Sequence, residues 1–152
     1  MTEDERFDLC TNTDQFNKRE DIEVDKIRSM MALALNDLAY TQIREPKADM
    51  KKECSTVFKL HYDCLRELSE AYLMFDRIKV SSHECLFVYL CVRYKELELD
   101  LNFFDKIRTA RNGIQYYGTP IDMDYWAKNK VQLNLYIQTI KKAIETRLKE
   151  IK

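Results

Sequence analysis

Two glycines and two prolines in 152 residues leave this chain almost without punctuation. Helices end where proline removes a donor or glycine supplies a left-handed turn, so a chain poor in both runs in long helices. Both glycines, Gly113 and Gly118, fall in one stretch, RTARNGIQYYG, from Arg108 to Gly118. The prolines, Pro46 and Pro120, stand just past strongly periodic segments.

Between those breaks, apolar side chains recur at spacings of three and four, the mark of a helix with one buried face. One stripe, starting near Asp21, holds Ile27, Met31, Ala34, Leu35 and Leu38 and ends before Pro46. A second runs from Met50 and Cys54 through Val57, Phe58, His61, Leu65, Leu68 and Tyr72 to Phe75. Ser81 followed by Glu84 matches a capping box and puts His83 in the first turn of a third helix. The run FVYLCV inside it has strand propensity, but the capped start favours helix. Phe104, Ile107, Arg111 and Ile114 share one face of a fourth helix, which Pro120 stops. Asp122 is placed to cap a last helix carrying Leu133, Ile137, Ile140, Ile144, Leu148 and Ile151. The expected fold is all-α, an up-and-down bundle of four to five helices over residues 21–152. Residues 1–20 are polar and acidic, with Phe7, Leu9 and Phe16 as docking points, and read as a flexible arm or a short lead-in helix.

Composition narrows the function classes. At 45% hydrophobic and 34% charged the chain is a folded domain with a real core. A formal charge of −1 gives no bulk attraction to a nucleic-acid backbone. No apolar run reaches the roughly 20 residues of a membrane span, and the acidic start MTEDERFDLC is not a secretory signal, so no membrane role and a cytoplasmic location are expected. The cysteines, Cys10, Cys54, Cys64, Cys85 and Cys91, are odd in number and contain no C-x-x-C. Buried free thiols are therefore expected, with no metal site and no cofactor. Phosphate-loop, dinucleotide-binding, nucleophile-elbow and zinc-helix motifs are absent from the sequence.

The chemistry concentrates around Arg111. A guanidinium on an apolar helix face stays charged and must find an anion, a group of carbonyls or a water-filled groove. Asn112 adds an amide beside it, and Gly113 leaves that surface without a side chain. Glycine inside a helix costs about 1 kcal/mol against alanine, which close approach of a ligand or second subunit would offset. Gly118 fits a left-handed helix end. Tyr116 and Tyr117 offer rings for stacking and hydroxyls for phosphate, or packing at an interface. His83 reads as orienting an interhelical turn, and His61 as a satisfied core residue.

The succession AYLMFDRIKVSSHECLFVYL and LDLNFFDKIRTARNGIQYYGTPID resembles the HEPN family, the higher-eukaryote and prokaryote nucleotide-binding domains. The resemblance covers about two-thirds of the chain, from the second helix to the start of the last. It implies a helical bundle that forms a homodimer and brings one motif arginine from each copy into a shared cleft. Many such proteins are metal-independent ribonucleases, often toxins paired with a nucleotidyltransferase antitoxin; others bind nucleotides or protein partners without catalysis. By position, Arg111 would be the motif arginine and Asn112 its polar neighbour. Active members carry a histidine after four to six intervening residues, and here Gly113, Ile114, Gln115, Tyr116 and Tyr117 supply none. Tyrosine, with a pKa of about 10, is a poor base at neutral pH, and glutamine does not titrate.

The leading expectation is thus a nucleotide-, RNA- or partner-binding module with ligand candidates Arg111, Asn112, Gln115, Tyr116, Tyr117 and His83. The rival is a metal-independent endoribonuclease, the toxin of a toxin–antitoxin pair, relaying protons through Tyr116 or His83. The third is a helical adaptor without a nucleic-acid role.

Overall fold

The computed structural model describes residues 1–151. Long helices dominate, as the scarcity of glycine and proline requires. In chain order they are α1 (Glu3–Asn12), α2 (Val24–Arg44), α3 (Met50–Leu73), α4 (His83–Arg93), α5 (Leu101–Tyr117) and α6 (Met123–Glu150). Two three-residue strands, β1 (Phe16–Lys18) and β2 (Ile78–Val80), pair antiparallel with Phe16 opposite Val80. The all-α architecture is as expected, with six helices in place of four to five, because the lead-in is itself helical.

Each start has a local cause. Thr2 accepts from the Glu5 N–H, and Glu3, Asp4 and Glu5 place negative charge at the positive end of α1. Asp49, Asp100 and Asp122 cap α3, α5 and α6 in the same way. The α4 cap is Ser82, whose hydroxyl accepts from the Cys85 N–H at 3.2 Å. The capping-box expectation is therefore off by one residue: Ser81 instead meets the Asn17 amide at 2.8 Å, and its place is taken by the residue one step nearer the helix. His83 opens α4 as expected, and FVYLCV is helical. Gly118, at φ +61°, ends α5 in the left-handed region. Ile151 lies past the end of α6 and is partly exposed, so the last stripe stops at Leu148.

α3 is the central element. α2 and α6 pack along it extensively, while α4 and α5 touch it over shorter stretches. Phe58, Tyr62, Leu65 and Leu68 of α3 meet Phe87 of α4, Phe104 and Ile107 of α5 and Leu133 and Ile137 of α6 in a core closed to solvent. Phe87 and Phe104 stack at 4.3 Å. Each such side chain contributes roughly 1.5–3 kcal/mol on burial. Among the residues α3 shows to solvent is a half-buried charged stripe through Lys59, Asp63, Arg66 and Glu70.

Residues 1–20 form a helix and a strand built onto the bundle. α1 packs on α4, Phe7 and Phe16 sit 5.0 Å apart and both face Tyr89, and the Arg93 guanidinium lies 4.7 Å from the Phe7 ring. Here the cysteine expectation fails. Cys10 and Cys85, 75 residues apart, are joined by a disulfide across the α1–α4 contact, with Cα atoms 5.8 Å apart. Packing of two helices creates that proximity, which spacing along the chain does not reveal. Loop-closure entropy gives such a link on the order of 4 kcal/mol. Cys54, Cys64 and Cys91 are free and buried, in line with expectation.

Candidate functional site

The C-terminal half of α5 extends past the core and lies against the charged stripe of α3. Arg111 falls there because it continues the face that Phe104 and Ile107 bury higher up the helix. Its Nε donates to Asp63 Oδ1 at 3.3 Å, and its Nη1 donates to Gln115 Oε1 at 2.8 Å. The anion that an apolar-face arginine demanded is thus a carboxylate of the same chain. Neither bond uses Nη2.

Two further arginines join it. Arg66, three residues after Asp63 on α3, pairs with Glu70 at 3.1 Å and with Glu67 at 3.6 Å. Arg108, one turn before Arg111, reaches Asp105 only at 3.7 Å and Glu84 at 4.0 Å, and its buried Nε has no hydrogen-bond partner among the described residues. Those two carboxylates are held more closely by Arg6 of α1, at 2.7 Å to Asp105 and 3.0 Å to Glu84. The bond from Arg6 holds the Asp105 carboxyl below its usual range and raises Arg6 itself.

His83 belongs to this cluster. Its Nδ1 lies 3.3 Å from the Tyr62 hydroxyl, and the two share one hydrogen. Burial lowers the imidazole pKa first, and the charges of Arg66 and Arg111 lower it further, against the opposite pull of Glu70 and Asp63. The ring is therefore neutral at pH 7 and keeps one nitrogen able to accept a proton. Burial also drives the Tyr62 hydroxyl well above the ordinary tyrosine value. The sequence offered His83 both as a turn-orienting residue and as a ligand candidate; in the structure it opens α4 against Tyr62 of α3, a contact that tertiary packing creates.

The other candidates divide. Asn112 is half-buried beside Arg111, and Gln115 is engaged by the guanidinium. Tyr116 and Tyr117 are 69% and 82% exposed on the last turn of α5, so they take no part in this chain's own core. At Gly113 an added Cβ would meet only the Thr119 Cβ, at 3.7 Å, an ordinary contact. Nothing within the chain requires glycine there. His61 is a core residue, as expected: its Nδ1 donates to the Val57 carbonyl at 2.8 Å and its ring packs edge-on against Trp126 at 4.8 Å.

Arg66, Arg108, Tyr62 and Asp63 were not foreseen. The i, i+3, i+7 spacing of Asp63, Arg66 and Glu70 reads as a solvated helix face. No signal along the chain separates these charges from the other polar residues of α3, such as Lys52, Thr56 and Glu67. Among the described residues no group of three or more His, Cys, Asp or Glu side chains could hold a metal ion. No helix is long and apolar enough to cross a membrane.

Chemically, the face gathers three guanidinium groups, a neutral imidazole and a phenol, with each arginine offset by a carboxylate of its own chain. An anion can bind by displacing Asp63 or Glu70, which trades one charge-assisted bond for another. No protein-family model, no curated protein and no solved structure matches this chain.

Proposed function

We propose that this chain is a HEPN-like helical module that binds a nucleotide or RNA phosphate at the Arg66–Arg108–Arg111 face. The observation that carries the reading is the state of Arg111. Asp63 and Gln115 orient its guanidinium through Nε and Nη1, and the bond-free Nη2 is available to an oxygen of a ligand. Arg108, with a buried Nε that bonds to nothing described, supports the same view. In this reading two copies pair along α5, with Gly113 as the point of close approach and the exposed Tyr116 and Tyr117 flanking it. The motif histidine is missing, so the module binds without cleaving.

One observation favours a second reading, a metal-independent ribonuclease of the kind that pairs with a nucleotidyltransferase. The neutral His83 ring shares its face with Arg66 and Arg111, and a neutral imidazole can take a proton from a 2′-hydroxyl. The intrachain Arg111–Asp63 pair in turn suits a helical adaptor in which the arginine is structural.

Incubating the protein with single-stranded RNA and chelator, while following both binding and cleavage, separates the three. Binding that Arg111→Ala removes, without cleavage, supports the module. Cleavage lost in His83→Ala supports the enzyme. Absence of both leaves the adaptor.

A further inference from the structure

We propose that the Cys10–Cys85 disulfide is an exchangeable latch that sets the charge of the arginine face through Arg6, a positioning residue on α1. The inference rests on the reading that this face binds phosphate.

The latch is nearly buried, Cys10 at 5% and Cys85 at 7% exposure, but it borders a cleft. Cys10 and Cys85 line a cleft of about 570 Å³ together with Met1, Arg6, Leu9 and Glu84, so a thiolate can approach along it. The remaining thiols do not compete. Cys54, Cys64 and Cys91 are buried elsewhere, and burial pushes Cys64 and Cys91 up to about 12. Disulfides in reducing compartments are uncommon and, where found, tend to be transient and redox-sensing.

The latch also holds something of consequence. Cys10 is the buried residue of α1. Without the covalent link, α1 is held at its far end by the β1–β2 pairing and along its length by the Phe7 ring and the Arg6 ion pairs. Those ion pairs decide where two carboxylates point. Arg6 makes the short contacts to Asp105 and Glu84, and Arg108 is left with contacts of 3.7 Å and 4.0 Å to the same groups. When α1 loosens, Arg6 leaves, and Asp105 and Glu84 can close on Arg108. Arg108 then holds its carboxylate partners more closely and attracts a phosphate less.

The covalent step balances with a small dithiol as reductant. One reagent thiolate attacks a sulfur of the pair, the Cys10–Cys85 bond breaks, and a mixed disulfide forms. The second reagent thiol closes the reagent into its own disulfide. Two electrons and two protons pass to the protein, which leaves with two thiols.

The test compares the full chain purified under oxidising conditions with the same protein treated with dithiothreitol. Alkylation mapped by mass spectrometry reports the thiols, amide exchange reports α1, and anisotropy of a fluorescent oligouridylate reports binding. The expected result is protection of Cys10 and Cys85 from alkylation before reduction. After reduction, α1 amides should exchange faster and RNA affinity should fall at least about five-fold. Arg6→Ala should lower affinity similarly with the disulfide intact. The Glu84→Gln, Asp105→Asn double variant should keep its affinity on reduction, a rescue that general destabilisation would not give. Circular dichroism of every sample keeps loss of fold distinct from loss of binding. The proposal is overturned if both thiols alkylate in the oxidised protein, if α1 stays protected after reduction, or if α1 is released while affinity holds. Failure of either state to bind RNA would sink the phosphate reading itself; the alkylation and exchange results would still show whether the latch opens.

Discussion

Asp63 stands one helix away from Arg111 and takes its Nε at 3.3 Å, so the most constrained cation of α5 is answered by the charged stripe of α3. The carboxylate does two things at once. It fixes the plane of the guanidinium, and it competes with any anion that would use the same group.

That competition predicts the effect of removing it. Asp63→Asn should raise affinity for an RNA or nucleotide phosphate about two- to five-fold, matching the roughly 0.5–1 kcal/mol that a partly exposed ion pair holds. Titration of a labelled oligonucleotide against both proteins measures it. Unchanged or weaker binding would mean that Asp63 does not oppose the ligand.

Gly113→Ala separates folding from association. The new methyl meets only Thr119, and alanine is the better helix former by about 1 kcal/mol. The isolated chain should melt at a higher temperature. If α5 is where copies meet, the same variant should dimerise less well in light scattering across a concentration series. A less stable monomer would contradict the open surface at Gly113.

The two histidines give acid sensitivity of a definite sign. Burial lowers the pKa of His61 in the folded chain, and partial desolvation lowers that of the more exposed His83, which contributes less. The unfolded chain therefore takes up protons that the folded chain refuses, once pH falls below about 6.5. Stability should be full above that value and decline as pH falls through it towards the lower folded values. Denaturant melts from pH 8 to pH 5 should show the decline in the native sequence and a shallower one in His61→Gln. A flat profile in the native protein would rule this out.

The aromatic stack at the centre of the bundle sets the scale for packing. Phe104→Ala removes a ring that is closed to solvent and stacked on Phe87. The expected loss is about 3–5 kcal/mol, read as a shift of the urea midpoint.

How far the sequence reached follows from which forces act locally. Helices α2, α3, α5 and α6 were legible because each repeats its apolar side chains every three or four residues, with breaks at Pro46, Gly118 and Pro120, and α4 because of its serine-capped start. Asp122 and Gly118 were legible as ends because caps are short-range chemistry. The β1–β2 pair was not, since three residues are too few for an alternating pattern to stand out. Cys10–Cys85 and the Arg6 contacts depend on α1 docking on α4, so no spacing announces them. The site shows the same division. Arg111 was legible as a charge on an apolar face. Asp63 and Tyr62 were not, because their partners lie on other helices; Arg66 pairs within α3 and looked like ordinary solvated surface; His83 was legible as a ligand candidate but not its contact with Tyr62.

The central question for this protein is whether Arg111 holds a phosphate. The direct measurement is the affinity of a short single-stranded RNA for the native protein and for Arg111→Ala across a series of salt concentrations. The expected result is measurable binding that weakens with salt, at least about ten-fold weaker in the variant, with the log–log salt slope reduced by about one. Equal affinity and equal slope in the two proteins, or no binding by either, would contradict it.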